Sequence, residues 1–98
     1  MFERKIGKQI RDPRQLRAKY GRLAESIETV VSILEVASNL EEVPNVPPTR
    51  RHKLSGNYRG CWALDLDKSH RLILEVPSDA ESAKDVEEVT ILEVVDYH

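Results

Sequence analysis

The sequence predicts an α+β domain in which N-terminal helices pack on a three- to four-stranded twisted antiparallel sheet. Two observations predict it. Residues 13–38 repeat apolar side chains at spacings of three and four, and residues 61–96 contain three apolar or alternating runs. Ninety-eight residues are the size of one domain, so we expect a single domain over residues 1–98. A composition of 40% apolar and 33% charged residues excludes global disorder.

The clearest element is a helix over residues 13–38. Asp12 is a candidate N-cap, and Pro13 suits the first helical position. Gly21 weakens the helix by about 1 kcal/mol relative to alanine and marks a possible break. One apolar stripe predicts a core-facing side, with a partner groove as the alternative. The stripe consists of Leu16, Tyr20, Leu23, Ile27, Val30, Leu34 and Ala37.

The second half of the chain predicts strands. Prolines within residues 39–51 end the helix and predict a connector. Residues 61–66 and 71–76 alternate in polarity, and their short link predicts an antiparallel hairpin with His70 as a solvated turn residue. A polar loop over residues 77–88 precedes a final strand over residues 89–96. Residues 2–6 predict a short edge strand.

The charge is unevenly distributed and the composition excludes several classes of protein. The net charge of −2 divides into +4 over residues 1–53 and −6 over residues 54–98. The basic half suits a polyanionic partner, and a solvated helix face is the alternative. No apolar run approaches the roughly 18 residues of a membrane span, and Cys61 lacks the partners of a zinc site. We therefore expect a cytoplasmic protein without membrane contact, metal or cofactor, in which Cys61 is a buried structural thiol.

Several polar side chains have the chemistry of a metal-free phosphodiester cleavage. That reaction needs a base, an acid and cations that stabilise the charged phosphorane. His52, Arg71 and the terminal residues 96–98 supply these groups. If the last strand pairs antiparallel with the strand that begins at Arg71, both sets share one edge of the sheet. Structural alternatives remain open: Arg71 pairing with Asp65 or Glu75, His52 as a polar loop residue, and a frayed chain end.

Three motifs in this order resemble the HigB group of the RelE/ParE superfamily, the toxins of type II toxin–antitoxin systems. The motifs are "HKLSGNYRGCWALDL", "HRLILEV" and the closing "DYH". The resemblance covers residues 50–98 well and residues 13–49 in general character, and it implies a RelE-like fold. The matched positions are His52, Leu54, Gly56, Gly60, Trp62, Arg71, Asp96, Tyr97 and His98.

The resemblance implies a ribosome-dependent mRNA endonuclease that works by metal-free attack of the 2′-hydroxyl. It implies that His52 and His98 are the acid–base pair and that Asp96 orients or activates them. Tyr97 would contact RNA, and Arg71 would hold the scissile phosphate. Further candidates for contacts with RNA or the ribosome surround His52: Arg50, Arg51, Lys53, Tyr58 and Arg59.

The resemblance also implies partners, and two departures keep other functions open. The implied partner is a HigA-like helix-turn-helix antitoxin, through which the toxin would reach operator DNA. The chain is acidic overall, although members of the family are typically basic. Ser55 also stands where the family often has lysine. A weak or inactive homologue that binds an antitoxin and acts as operon co-repressor is therefore the alternative, and a ParE-like gyrase inhibitor is a third interpretation.

Overall fold

The fold is a helical layer on a mixed sheet. The computed structural model describes residues 3–4, 12–77, 80 and 82–96. In the sheet the strand order is β1-β5-β4-β3-β2; β1 is parallel to β5 and all other neighbours are antiparallel. The predicted α+β class, hairpin and short edge strand are confirmed. The elements are β1 (Glu3–Arg4), α1 (Pro13–Tyr20), α2 (Leu23–Val36), β2 (His52–Lys53), β3 (Cys61–Asp65), β4 (His70–Glu75) and β5 (Thr90–Asp96).

Residues 13–38 form two helices, because the chain breaks at Gly21. Asp12 caps α1 as predicted, since its Oδ1 accepts a hydrogen bond of 2.9 Å from the Arg14 N–H. Gly21 has φ +54°, a conformation that residues with a Cβ rarely adopt, and its N–H donates to the Arg17 carbonyl. No helix in the described part of the chain is long and apolar enough to cross a membrane.

The helical stripe packs on one face of the sheet, as predicted. Leu16, Ile27 and Leu34 are fully buried. They belong to the same cluster as strand residues of alternating position, because every second side chain of a strand points to the same face. The strand residues in this cluster are Trp62, Leu64, Leu72, Leu74 and Ile91.

Strand β4 is buried on both of its faces. Leu72 and Leu74 point to the helices, so Ile73 between them points to the other face, yet all three are 0% exposed. Ala63, directly opposite Ile73 on β3, is also 0% exposed. The face turned away from the helices therefore has an apolar centre, which forms the floor of the candidate site.

Candidate functional site

We call the sheet face turned away from the helices the open face, although its centre at Ala63 and Ile73 is buried. Opposed residues of antiparallel strands project to the same side of a sheet, so the strand register assigns side chains to this face. One row of opposed residues crosses four strands: His52, Ala63, Ile73 and Glu93. A neighbouring row on the same face contains Asp65, Arg71 and Val95.

His52 is held so that one ring nitrogen can accept a proton. Its Nδ1 lies 2.6 Å from the backbone carbonyl oxygen of Arg50. A carbonyl only accepts hydrogen bonds, so Nδ1 must carry the hydrogen. In the neutral ring Nε2 then has a free lone pair. This atom is buried and has no hydrogen-bond partner among the described residues. The ring is thus held in one tautomer, and the lone pair on its Nε2 is buried.

Arg71 shares the open face with His52. The two residues are separated by two strand spacings across the sheet and two residues along it. With about 4.8 Å between strands and about 3.4 Å per residue, their Cα atoms are about 12 Å apart. An extended arginine spans about half of that distance. Its guanidinium and the imidazole can therefore meet a single phosphodiester from two sides.

Asp96 lies at the predicted edge of the sheet but not on the open face. It is opposite His70, one residue beyond the pairing of Arg71 with Val95, so its side chain projects to the helix side. The Asp96 Oδ2 is 3.9 Å from the His70 Nε2. The structure therefore brings Arg71 and Asp96 to one edge on different faces. Tyr97 and His98 lie outside the described residues, and their roles stay predictions.

His70 is the first residue of β4, and not the solvated turn residue that the sequence predicts. Asp67 accounts for the difference. Its Oδ1 accepts hydrogen bonds of 2.8 Å from the backbone N–H groups of Ser69 and His70, and lies 2.9 Å from the His70 Nδ1. The carboxylate therefore closes the turn and holds the imidazole beside the end of β5.

The predicted basic cluster is divided between the two faces. Lys53 is opposite Trp62, so it lies on the helix side, and its Nζ is 5.5 Å from the centre of the Trp62 ring. The Arg51 guanidinium is 5.4 Å from the same ring and donates to the Val43 carbonyl at 2.8 Å. Arg50 pairs with Asp65 instead. These three cations all have partners within the protein.

Arg59 and Tyr58 complete the predicted set. Arg59 is exposed and lines a groove of about 680 Å³ with Cys61 and Glu75. This groove and Arg71 lie at opposite ends of the β3–β4 hairpin, about 13 Å apart along the strands. Tyr58 donates a hydrogen bond of 3.0 Å to Glu93, and this bond raises the pKa of the phenol. The exposed groove therefore does not coincide with the predicted catalytic residues.

Cys61 does not have the character of a nucleophile. Burial raises the pKa of its thiol, and the carboxylates of Glu75 and Glu93 raise the pKa further. A reactive cysteine needs the opposite shift, because the thiolate is the nucleophile. The predicted structural role of Cys61 is consistent with this environment, although its side chain is only half-buried.

Two residues of the site were missed by the sequence reasoning. Glu93 is 35 positions from Tyr58 in the chain, so no local pattern indicates their contact. The sequence indicates Asp65 only as an alternative partner of Arg71, whereas its carboxylate binds Arg50. Alternation along β3 was the available signal, because it assigns Asp65 to the face opposite Trp62 and Leu64.

The comparisons with known proteins show the fold. No protein-family model matches the sequence, and no curated protein matches it. The structure is similar to "YoeB/ParE toxin from Agrobacterium tumefaciens", with TM-score 0.56 and 13% identity over 99% of this chain and 97% of that one. It is also similar to the YoeB–YefM complex from Staphylococcus aureus, with TM-score 0.53 and 16% identity over 100% and 95% of the chains. A heterotetrameric YoeB–YefM toxin–antitoxin complex from the same organism gives TM-score 0.52 at 16% identity, with the same coverage. The chain therefore has the fold of YoeB/RelE-type toxins.

Proposed function

We propose that this chain is a HigB-like toxin of a toxin–antitoxin pair and cleaves messenger RNA on the translating ribosome. The fold it shares with solved toxins supports a toxin, and the three ordered motifs support the HigB group. The observation that carries the nuclease assignment is the geometry of His52. Its Nδ1 is bound by a carbonyl, its Nε2 is left as a proton acceptor, and Arg71 stands on the same face.

The proposed reaction is an attack of the RNA 2′-hydroxyl on the adjacent phosphorus. RNA binding would have to uncover the buried His52 Nε2, which then takes the hydroxyl proton. The 2′-oxygen forms a bond to phosphorus while the bond to the 5′-oxygen breaks. Arg71 stabilises the charge on the phosphoryl oxygens, and His98 returns a proton to the leaving 5′-oxygen. The products are a 2′,3′-cyclic phosphate and a 5′-hydroxyl. These groups supply base, acid and charge stabilisation without a metal or cofactor.

In this proposal Asp96 and Tyr97 serve the end of β5. Asp96 lies beside His70 on the helix side, which suits a carboxylate that holds the strand end rather than one that touches RNA. Tyr97 would contact the RNA. The set of Arg50, Arg51, Lys53, Tyr58 and Arg59 then contributes through Arg59 above all, since Arg59 is exposed and lines the groove beside Cys61.

The proposed partners are a HigA-like antitoxin and the ribosome with its message. Two of the similar solved structures are toxin–antitoxin complexes, which supports an antitoxin as the protein partner. A helix-turn-helix antitoxin would carry the pair to operator DNA. The reaction would take place in the cytoplasm, where translating ribosomes are found.

Expression in growing bacteria tests the nuclease proposal. The wild-type chain should arrest growth and leave new 5′ ends in ribosome-bound messages, mapped by primer extension. His52→Gln should lower the cleavage rate by about 10²- to 10⁴-fold, because it removes the base. Arg71→Lys keeps the charge and loses the two-pronged phosphate contact, so it should also be impaired. Arg17→Lys, an exposed position on α1, is the matched control and should cleave like the wild type.

Two results would contradict the nuclease proposal. Normal growth with uncut message on wild-type expression is the first. Growth arrest with intact message is the second, and if supercoiling by gyrase is then inhibited, the gyrase-inhibitor interpretation replaces it.

A non-catalytic antitoxin-binding module is the second candidate function. The specific observation in its favour is that Arg50, Arg51 and Lys53 all have partners within the protein, in a chain of net charge −2. The Asp65 carboxylate offsets the charge of Arg50, which leaves less positive charge in this segment for ribosomal RNA, whose binding depends on phosphate neutralisation. A pull-down and a gel shift with the product of the adjacent gene distinguish the candidates. Operator binding by the pair, together with an inactive wild-type chain in the growth assay, would favour the module.

A further inference from the structure

The connector that precedes β2 is fastened to β3 by the carboxylate of Asp65. The Arg50 Nε donates to Asp65 Oδ2 at 2.7 Å, and Nη2 donates to Oδ1 at 3.4 Å. The Asp65 side chain is 13% exposed and the Arg50 side chain 43% exposed. The Asp65 N–H also donates to the Thr49 carbonyl at 2.7 Å. One residue of β3 therefore binds the connector through both its side chain and its backbone.

Arg50 has an unusual backbone conformation that directs its carbonyl to His52. Its φ is +46°, in the left-handed region that residues with a Cβ rarely adopt. The connector around it is closed by two hydrogen bonds, from the Arg50 N–H to the Val46 carbonyl at 2.9 Å and from the Arg51 N–H to the Pro44 carbonyl at 3.0 Å. In this conformation the Arg50 carbonyl oxygen lies 2.6 Å from the His52 Nδ1.

A continuous series of contacts thus leads from a carboxylate to the proposed base. We infer that Asp65 is a positioning residue that acts through Arg50 to fix the tautomer and orientation of the His52 ring. The effect on catalysis rests on the proposed nuclease function, whereas the effect on the ring does not. Strained conformations persist where the surrounding structure over-determines them, and they cluster at active sites. The Asp65 pair supplies that constraint for Arg50.

This role differs from the predicted role of Arg50 as an RNA ligand, and the two make opposite predictions for Asp65→Asn. If Arg50 binds RNA, neutralising Asp65 releases the guanidinium and removes a negative charge, so RNA affinity rises and cleavage is maintained. If Asp65 positions His52, the same change loosens the Arg50 backbone and misplaces the ring. Cleavage then falls although the positive charge at the site increases.

The test uses two variants and a matched control in the full-length chain. Asp65→Asn weakens the ion pair. Arg50→Gly removes the guanidinium but tolerates the positive φ, so it removes the ion pair with Asp65 without a steric conflict in the backbone. Glu28→Gln is the control, because it makes the same change of charge at an exposed position on α2, away from the open face. Circular dichroism establishes that each variant is folded.

The first readout is the ¹⁵N NMR spectrum of the imidazoles, with His52 assigned by the His52→Gln variant. In the wild type and in Glu28→Gln, neutral His52 should show a single tautomer with the hydrogen on Nδ1. In Asp65→Asn and Arg50→Gly its nitrogen shifts should move towards the average of two tautomers. This readout decides the inference even if the wild-type chain cleaves no RNA.

The second readout is the pH profile of cleavage on programmed ribosomes. Asp65→Asn should lower the maximal rate by about 10- to 100-fold, as misplacing a reacting group by about 1 Å does, with little change in KM. Glu28→Gln should match the wild type. A folded Asp65→Asn variant in which His52 keeps the wild-type tautomer overturns the inference. Where the wild-type chain cleaves, cleavage that is unchanged or faster in a folded Asp65→Asn variant overturns the catalytic part of the inference.

Discussion

Shortening Ile73 tests whether the floor of the open face is as tightly packed as its 0% exposure indicates. Ile73→Val removes one buried carbon, and a buried methylene contributes about 0.8 kcal/mol. We expect a loss of about 1 kcal/mol in the free energy of unfolding. Ile73→Ala removes three carbons, or about 2.4 kcal/mol, and the remaining cavity raises the cost to about 3 kcal/mol. The melting temperature should fall by about 4–8 °C for each kcal/mol in a domain of this size.

The measurement is urea and thermal unfolding followed by circular dichroism. The matched control is Val36→Ala on α2, where the side chain is 84% exposed and the change should stay within about 0.5 kcal/mol. The reasoning would be refuted if the free energy of unfolding of Ile73→Val lay within about 0.5 kcal/mol of the wild-type value. In that case Ile73 would not be as tightly packed as its 0% exposure indicates. The apolar floor assigned to the site would then be absent.

Two further predictions concern ionisable groups at turns. Hydrogen bonds from the Ser69 and His70 N–H groups and the His70 ring keep the pKa of Asp67 below its usual 3.8. The stabilisation is therefore complete above that value and is lost as pH falls through the lowered pKa. Asp67→Asn should abolish this acid dependence in urea unfolding between about pH 5 and pH 2, and should cost at most about 1 kcal/mol at neutral pH because the side chain is half-exposed. The hydrogen bond to Glu93 raises the pKa of Tyr58 above 10.0, so its stabilising effect is lost as pH rises through the raised pKa. In a spectrophotometric titration with Tyr58→Phe as reference, Glu93→Gln should bring the Tyr58 pKa down, and an unchanged titration would contradict the contact.

Local patterns in the sequence predicted the elements that depend on local interactions. The apolar stripe from Leu16 to Leu34 recurs at helical spacing, and its burial follows from that spacing. The hairpin of β3 and β4 follows from alternation and a link too short for a crossover. Gly21 was recognised as a possible break because glycine lowers helix stability and tolerates positive φ.

What the sequence did not predict depends on register and on contacts between distant residues. The sequence reasoning correctly set Arg71 and Asp96 at one edge of the sheet, but not on their separate faces, because the face depends on how β4 and β5 pair residue by residue. The β-bulge beside Ile73 shifts the pairing of β4 with β5, and no residue pattern in β5 predicts it. The Asp65–Arg50 pair likewise forms only after the connector folds back on β3.

Because β2 is two residues long, a shift of its pairing register by one residue would change which side chains form the site. His52 and Lys53 are neighbours that project to opposite faces, one over Ala63 and the other over Trp62. Inserting one residue between Lys53 and Cys61 while the pairing slips to compensate would put an ammonium where the imidazole stands and send the imidazole to the core side. The two paired positions of β2 oppose such a shift in register only weakly. The Asp65–Arg50 ion pair that holds the preceding connector thus also fixes the pairing register of β2. That register determines whether the open face carries the His52 imidazole or the Lys53 ammonium.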